Sequence, residues 1–234
     1  MDNVSNVLFT IYDHVFVVTV LPIGKIDNKV LEQTSIGVID IPSVLADATP
    51  TRWNEFQCGR YAAALSGSYQ GFSLPIIGIG SSGEPLWPSN VTGSISHGGG
   101  YAASCVHSLN LNQSFGVGVD VEQFILPDVE HSIRDAIVTD YEKAKILCLE
   151  STHKFLFTAI FSFKESFFKA IFNQVKRYVP FSDLLFEEID VSINTILFSV
   201  ARDLSPKIRK GHSVRGKYHI MDNQTILTIV VVEL

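Results

Sequence analysis

The sequence predicts an α+β fold built on antiparallel sheets. Strand-like runs between residues 94 and 121 follow one another through short turns, which is typical of an antiparallel meander. Two stretches, residues 51–68 and 153–173, have the apolar spacing of helices. Further strand-like runs occupy residues 193–200, 217–221 and 225–232.

The elements of the first third are predicted as follows. Residues 7–21 form one or two buried strands that break near residues 13–14, and residues 22–28 form a loop. Residues 36–41 are predicted to be a short apolar strand that ends at Pro42. In the helix over residues 51–68, Thr51 is the N-cap or Pro50 opens the first turn, and Gly67 marks the end.

A hairpin motif dominates the middle of the chain. Residues 94–97 are predicted to be a strand, and the three glycines at 98–100 permit a sharp reversal. Residues 101–107 then return, and residues 115–121 follow after another turn. Before this hairpin, the apolar residues 76–79 lead into a glycine-containing loop over 80–83.

The C-terminal half begins with helices. Pro127 separates the meander from a helical stretch over about 130–150, and a second helix covers about 153–173. The final strands over 217–221 and 225–232 are joined by a hairpin turn at Asp222-Asn223.

Composition limits the possible functions. The chain has 234 residues and a formal charge of −6, so it has no broad basic field for sequence-independent nucleic-acid binding. The widely spaced cysteines at 58, 105 and 148 match neither a metal motif nor a disulfide framework, which favours a reducing compartment. The N-terminus carries Asp2 and no basic region, so a secretory signal is not expected there, and the apolar run over 15–23 is too short to span a bilayer. A cytoplasmic protein is expected, with peripheral membrane association left open.

The run Gly116-Val117-Gly118-Val119-Asp120-Val121-Glu122 is the first candidate functional motif. On a strand, Asp120 and Glu122 project to one face, about 6.5–7 Å apart. Two carboxylates this close repel each other unless one is protonated or a cation lies between them, and Mg²⁺ is the usual cation. The motif therefore indicates either a magnesium site for a phosphate-bearing substrate or an exposed strand end with two solvated acids.

The helical segment Phe161-Ser162-Phe163-Lys164-Glu165-Ser166-Phe167-Phe168-Lys169-Ala170 is the second candidate. Glu165 and Lys169 are four residues apart and share a helix face. They are either a third metal carboxylate with a lysine for phosphate oxygens, or a surface ion pair that contributes about 0.3–0.5 kcal/mol.

Together these motifs resemble the signature pair of the 4'-phosphopantetheinyl transferases. Three further blocks strengthen the resemblance: residues 52–60 are similar to the family's arginine-rich helix, and residues 84–88 and 93–97 resemble the PxWP and GSISH blocks of its enterobactin-synthase component D branch. The resemblance covers residues 52–170.

The resemblance implies two similar α/β halves in a pseudo-twofold arrangement, with the active site between them. We expect the division near Glu122, with an N-terminal half over 1–122 and a C-terminal half over 123–234. The implied reaction moves the phosphopantetheine arm of coenzyme A to a serine of an apo carrier domain and releases adenosine 3',5'-bisphosphate. A peptidyl or aryl carrier domain of non-ribosomal peptide, polyketide or siderophore synthesis is the implied partner, and a monomer is the implied state.

The resemblance also assigns site residues. Asp120, Glu122 and Glu165 would hold Mg²⁺, and Lys169 would supply positive charge. Glu165 is the candidate to accept the serine proton, either directly or through a metal-bound water. The residues that it places against coenzyme A are Arg52, Arg60, Gly83, Glu84, Pro85, Ser96, His97, Asp120 and Lys169. Arg52 and Arg60 would grip the 3'-phosphate. Glu84 departs from the basic residue or glutamine common in the family, and an acid is unfavourable near phosphate unless it points away.

Two other functions stay open. A catalytically silent coenzyme A-binding or scaffold protein would keep part of the motif set. A magnesium phosphotransferase or phosphohydrolase of another kind is less favoured, because the sequence has no Gly-x-x-x-x-Gly-Lys loop. Lys164 is expected to face solvent or the carrier protein.

Overall fold

The structure of the chain, a computed structural model, describes residues 4–24, 26, 32, 36–109, 115–149 and 155–234. The chain separates into two compact units, residues 1–112 and residues 113–234. Each described unit combines antiparallel strands with helices, so the predicted α+β class is confirmed. Within the described ranges, no helix is both long and apolar enough to cross a membrane.

The first unit is built on a four-stranded antiparallel sheet with the order β1-β2-β6-β5. Strands of this unit are β1 (Ser5–Ile11), β2 (His14–Pro22), β3 (Gly78–Ile79), β4 (Pro85–Leu86), β5 (Val91–Gly98) and β6 (Tyr101–Ser108). Tyr12 and Asp13 have φ angles of 50° and 62°, the conformation of a tight two-residue hairpin turn. The predicted break near residues 13–14 is therefore confirmed, as is the hairpin of β5 and β6.

Helix α1 (Pro50–Tyr69) packs against this sheet. Thr49 is its N-cap, because the Thr49 side chain accepts a hydrogen bond from the Arg52 amide at 3.3 Å, and Pro50 opens the first turn. The prediction that Gly67 ends the helix is wrong. Gly67 lies inside the helix, which continues to Tyr69, and a Cβ at Gly67 would come within 3.1 Å of the Leu74 side chain.

The predicted strand over residues 36–41 is also wrong. The segment has no strand pairing in the structure, and side chains of α1 satisfy its backbone instead. The amide of Ile39 donates to the Tyr61 hydroxyl at 3.2 Å, and its carbonyl accepts from Gln57 at 2.7 Å. Because the helix supplies these partners, the apolar segment is buried without joining a sheet.

The second unit has a five-stranded antiparallel sheet with the order β7-β11-β10-β9-β8. The strands are β7 (Phe115–Gln123), β8 (Leu184–Asp190), β9 (Thr195–Val200), β10 (Ser213–Ile220) and β11 (Thr225–Glu233). β7 pairs with β11 along its whole length, so the prediction that it continues the meander after β6 is wrong. For the same reason the units divide at 112/113, ahead of β7, and not at the predicted 122/123.

The described part of this unit also has three α-helices, α2 (Pro127–Ile137), α3 (Asp140–Leu147) and α4 (Leu156–Val175), and a short 3₁₀ helix (Phe181–Asp183). The single helix predicted over 130–150 is divided, because Thr139 and Glu142 form a capping box that starts α3. Helix α4 follows the predicted helix over 153–173, although residues 150–154 lie outside the described ranges. It packs against β7 and β11, with the core residues Ile160, Phe163 and Phe167 fully or almost fully buried.

Candidate active site

Two glycines bring α4 into direct contact with β7. A Cβ at Gly118 would lie 1.8 Å from the Ser166 carbonyl oxygen, and one at Gly116 would lie 2.0 Å from that of Ala170. No side chain fits at either position, so the helix backbone rests on the strand itself. This approach places Glu165 and Lys169 beside the strand residue Asp120, which lies on the same strand face as the glycines.

Three buried hydroxyl groups fix the helix on the sheet. Thr228, which is opposite Asp120 on β11, has its hydroxyl 2.8 Å from the hydroxyls of both Ser162 and Ser166. All three side chains are completely buried. Because each hydroxyl has a partner in the cluster, burial does not leave these polar groups unsatisfied. Sequence reasoning missed this cluster, although two serines four residues apart on an apolar helix face were a visible signal.

An ion pair lies at the centre of the candidate site. The Lys169 ammonium is 2.7 Å from Oδ1 of Asp120 and 3.2 Å from the Val119 carbonyl oxygen. Asp120 is 3% exposed, whereas the Lys169 side chain is 28% exposed. Lys169 thus reaches across to the strand and pairs with Asp120 of β7, a contact that the i,i+4 spacing with Glu165 did not predict.

The two other predicted carboxylates belong to the same electrostatic cluster. Burial, followed by the Asp120 charge, raises the pKa of Glu122 to about 7, while Lys169 lowers it and Glu165 raises it further. Burial also raises the pKa of Glu165, with Lys169 opposing this shift and Asp120 adding to it. The cluster therefore holds three carboxyl groups against one ammonium, and it favours protons or cations.

The carboxyl groups of Asp120, Glu122 and Glu165 are suitable ligands for a hard divalent cation. Carboxylate oxygens are the ligands that Mg²⁺ takes in proteins, and the excess negative charge favours a cation. In the described ranges, however, no three Asp, Glu, His or Cys side chains are already arranged as a metal cage. Lys169 is the positive partner of Asp120 in this arrangement. The residues fit a magnesium ion by charge and ligand type.

Lys164, the neighbour of Glu165, does not face solvent. Its ammonium is 2.7 Å from Oε1 of Glu142 and 2.8 Å from the Ile137 carbonyl oxygen, and both side chains are almost completely buried. Glu142 also accepts the Phe186 amide at 2.8 Å. Burial lowers the pKa of Lys164 and the Glu142 charge opposes that shift. The expectation that Lys164 contacts solvent or a carrier is therefore wrong, because this pair joins α4 to α3 and β8.

In the first unit, Arg52, Glu55 and His97 form a polar triad. Nη1 of Arg52 lies 2.8 Å from Nε2 of His97 and 3.2 Å from Oε2 of Glu55. A guanidinium only donates hydrogen bonds, so Nε2 of His97 is the acceptor and the ring proton is on Nδ1. That nitrogen is 3.5 Å from Glu55. The hairpin histidine and the helix arginine are thus neighbours, as a shared phosphate site requires.

The second arginine of the helix has a different environment. Arg60 is 8% exposed, its Nε donates to the Ile77 carbonyl oxygen at 3.1 Å, and its guanidinium lies 4.2 Å from the Phe56 ring centroid. Burial, with a smaller effect of Arg52, lowers the pKa of Arg60 to about 10. Arg60 therefore anchors the strand segment before the 80–85 loop, whereas Arg52 is partly exposed.

Glu84, at the position where a basic residue or glutamine is common in the family it resembles, contacts its own loop. The Glu84 carboxylate turns back and accepts the Ser82 amide at 2.9 Å, and the Gly80 amide donates to the Glu84 carbonyl oxygen at 2.7 Å. Gly83 adopts a φ of 84°, which favours glycine in this turn. Pro85 begins β4, and Ser96 is buried on β5. The acid thus stabilises the shape of its own loop.

Comparisons with known proteins agree with this arrangement. A family model described as the 4'-phosphopantetheinyl transferase superfamily matches residues 116–223, and one described as the 4'-phosphopantetheinyl transferase N-terminal domain matches residues 42–107. The first match covers the carboxylate cluster, and the second covers the Arg52 triad.

Two of the three relatives described here are named 4'-phosphopantetheinyl transferases, and the third is an enterobactin synthase component D. The chain is 30% identical over 141 residues to 4'-phosphopantetheinyl transferase PptT of Mycobacterium tuberculosis (60% of each chain). It is 31% identical over 126 residues to enterobactin synthase component D of Escherichia coli K12 (54% of this chain, 58% of the relative). It is 27% identical over 173 residues to 4'-phosphopantetheinyl transferase Npt of Nocardia iowensis (70% and 73%). The chain thus spans about three fifths of the first two relatives.

Proposed function

Because this chain belongs to the 4'-phosphopantetheinyl transferase superfamily, we propose that it transfers the 4'-phosphopantetheine arm of coenzyme A to a serine of an apo carrier protein. Adenosine 3',5'-bisphosphate is the second product. The observation that carries this proposal is the Asp120–Lys169 ion pair, which the glycine contacts of β7 hold beside Glu122 and Glu165. The reaction needs both a carboxylate set and a lysine near the reacting phosphate, and this cluster contains both.

In this proposal, Asp120, Glu122 and Glu165 hold Mg²⁺. When bound, the cation neutralises charge on the pyrophosphate of coenzyme A. Lys169 is 28% exposed, so its ammonium can donate to a phosphate oxygen as well as to Asp120. Three carboxylates, Mg²⁺ and the Lys169 ammonium would sum to a net charge of zero, so the set would not repel the dianionic pyrophosphate.

Glu165 is the proposed proton acceptor. The serine oxygen attacks the β-phosphorus of coenzyme A, a new oxygen–phosphorus bond forms, and the serine proton goes to Glu165. The bond to the adenosine bisphosphate oxygen breaks, and that oxygen keeps the electron pair. Since burial raises the pKa of Glu165, its carboxylate is a stronger base than an exposed one.

The first unit supplies the proposed contacts to the nucleotide end of coenzyme A. Arg52 and His97 are partly exposed and adjacent, which suits recognition of the 3'-phosphate. Ser96 and the loop residues Gly83, Glu84 and Pro85 are proposed to contact the same substrate, with Glu84 doing so through its backbone because its carboxylate binds the Ser82 amide. Arg60 is the proposed support of that loop, because it binds the preceding Ile77 carbonyl.

The carrier is proposed to be a peptidyl or aryl carrier domain of a non-ribosomal peptide or polyketide synthase, and the protein is proposed to work in the cytoplasm. Similarity to enterobactin synthase component D supports a siderophore pathway.

The proposal is tested by incubating the protein with Mg²⁺, coenzyme A and an apo carrier domain, followed by intact-mass spectrometry of the carrier. We expect the mass of one phosphopantetheine, which disappears when the carrier serine is replaced by alanine or when EDTA is added. Glu165→Gln should abolish the adduct, whereas Glu187→Gln, at a carboxylate paired with Lys145 away from the cluster, should not. Coenzyme A binding without an adduct on several carriers would instead support a silent coenzyme A-binding protein.

A further inference from the structure

Helix α1 lies close to the end of strand β5 because residue 59 is a glycine. A Cβ at Gly59 would be 2.7 Å from Cγ2 of Ile95, so the helix backbone packs directly against the strand side chain. Glu55 is one helical turn before Gly59, and His97 is two residues after Ile95 on the same strand face. This packing therefore brings the Glu55 carboxylate and the His97 ring together.

Glu55 is the common partner of the two groups that are proposed to bind phosphate. Its Oε2 atom lies 3.2 Å from Nη1 of Arg52 and 3.5 Å from Nδ1 of His97. The Glu55 side chain is 22% exposed, compared with 41% for Arg52 and 36% for His97. The carboxylate is thus the inner member of the triad, and the guanidinium and the imidazole are the members that a solvent-borne ligand can reach.

The hydrogen bonds of the triad do not allow His97 to bind a phosphate oxygen directly. Nε2 of His97 accepts from Nη1 of Arg52 at 2.8 Å, so this nitrogen has a lone pair and no proton. A dianionic phosphate oxygen is also an acceptor, and two acceptors repel each other. His97 can therefore donate to a phosphate only after Nε2 has gained a proton.

We propose that Glu55 is a positioning residue of the phosphate site formed by Arg52 and His97, and that it couples phosphate binding to the uptake of one proton. This inference rests on the proposed function. Glu55 holds the Nδ1 proton of His97, and a second proton comes from solvent and binds Nε2. The guanidinium of Arg52 then exchanges its hydrogen bond to the ring for one to the phosphate, and both side chains donate to the ligand.

The charges of the triad favour this change. Arg52, Glu55 and a neutral His97 sum to a formal charge of zero, whereas an imidazolium makes the sum +1 next to a phosphate monoester that is close to dianionic at neutral pH. The imidazolium lies between the Glu55 carboxylate and the phosphate, and both anions stabilise its charge.

The groups around the ring come from two elements. Arg52 and Glu55, both from α1, are charged groups that face the His97 ring. On β6, the residue paired with His97 is the uncharged Ala102, and the neighbouring Tyr101 points to the opposite sheet face. An imidazole ordinarily ionises near pH 6.5, so the second proton becomes harder to gain as pH rises. The affinity for the phosphate should therefore decrease above this pH, by up to about tenfold per pH unit.

The test measures proton uptake by titration calorimetry at pH 7.5 in buffers with different ionisation enthalpies. The ligands are coenzyme A and dephospho-coenzyme A, without Mg²⁺ or carrier, so that no transfer takes place. Both ligands have the same pyrophosphate, and the difference between them reports on the 3'-phosphate alone. We expect the wild type to take up about one proton more with coenzyme A than with dephospho-coenzyme A.

Glu55→Gln keeps the size and an acceptor oxygen of the side chain but removes its charge. We expect the pH at which half of this extra proton is taken up to fall by about one unit, because the imidazolium loses one of its two anions. Glu130→Gln is the matched control, since Glu130 is also paired with an arginine on a helix, Arg134 of α2. It should leave proton uptake unchanged. The number of protons decides the test, because Glu55→Gln also removes a charge that repels the phosphate.

Two results would overturn the inference. One is equal proton uptake by the wild type with the two ligands, and the other is a Glu55→Gln profile that coincides with the wild-type profile, which would make Glu55 a structural ion-pair partner only. A wild type that takes up the extra proton with coenzyme A but modifies no carrier would contradict the proposed function and support the role of Glu55. A wild type that binds neither ligand would overturn both.

Discussion

The Lys169 ammonium lies 2.7 Å from Oδ1 of Asp120, across the contact between α4 and β7. It is the positive group nearest to a set of carboxylates in which Glu122 has its pKa raised to about 7. Lysine thus has two opposing effects on this site. It offsets the repulsion among the acids, and it competes with any cation for the oxygens of Asp120.

Replacing Lys169 should therefore separate metal binding from transfer. We expect Lys169→Met to bind Mg²⁺ or Mn²⁺ about tenfold more tightly in the absence of coenzyme A, because a competing positive charge is removed. The same variant should lose about 10²–10³-fold in transfer rate, since a donor to the phosphate is missing. Titration calorimetry and the carrier mass assay measure the two effects.

Lys143→Met is the matched control, because Lys143 contacts Asp135 and Asp140 on the surface. It should change neither quantity. Weaker metal binding by Lys169→Met would show that the lysine supports the cation site and does not compete with it.

The close contact of Gly118 with helix α4 predicts that adding one methyl group at this position strongly lowers the free energy of unfolding. Gly118→Ala would place a Cβ 1.8 Å from the Ser166 carbonyl oxygen, so the helix must move away from the strand. We expect a loss of about 2–4 kcal/mol in the free energy of unfolding, together with loss of transfer. Gly24→Ala, where a Cβ meets nothing within 4 Å, is the control and should be close to neutral. Urea denaturation checks both variants, and similar stabilities would contradict the close contact.

The sequence predicted the local elements of the site better than their partners. The alternation of β7 and the helical period of α4 are local patterns, and both elements were predicted nearly at their observed bounds. The pairing of β7 with β11 joins residues more than 100 positions apart, and nothing in the spacing of Phe115 after β6 indicates it. The apolar character of both strands is compatible with many partners, so register had to come from the structure.

Buried polar contacts were the second gap. The burial of Lys164 could not be predicted from its neighbours in the sequence, because its counter-ion Glu142 lies 22 residues earlier on another helix. β8 was missed because a bulge between Phe186 and Glu188 interrupts its alternation of apolar and polar residues. In both cases, the deciding interaction is tertiary and leaves no periodic signal.

The two arginines of α1 should respond differently to substitution. Arg52→Ala should weaken binding of coenzyme A more than that of dephospho-coenzyme A, by about tenfold, because Arg52 is the partly exposed member and lies next to His97. Arg60→Ala should weaken both ligands alike and lower the free energy of unfolding by about 2–3 kcal/mol, since it leaves the Ile77 carbonyl without its donor. If Arg52→Ala and the wild type prefer coenzyme A over dephospho-coenzyme A by the same factor, Arg52 does not bind the 3'-phosphate.

The raised pKa of Glu122 predicts how stability depends on pH. In the unfolded chain this carboxyl group ionises near pH 4.5, whereas in the folded protein it ionises near pH 7. Between these values the folded state holds a proton that the unfolded state has lost, so the free energy of unfolding decreases as pH rises. We expect the metal-free protein to lose about 1–2 kcal/mol from this group between pH 4.5 and 7, after allowance for partial solvent screening. Glu122→Gln should reduce this decrease in urea denaturation, and an unchanged pH profile would contradict the assignment.

The buried pair of Lys164 and Glu142 predicts a non-additive effect of substitution. Lys164→Met leaves the completely buried Glu142 carboxylate without its counter-ion, and Glu142→Leu leaves the Lys164 ammonium without its own, so each should cost about 3–5 kcal/mol. The double variant removes both charges and should be more stable than either single variant, because no isolated charge stays buried. Urea denaturation of all four proteins gives the coupling energy. If the single losses simply add in the double variant, the two charges do not compensate each other, and Lys164 must be stabilised by the Ile137 carbonyl and its packing alone.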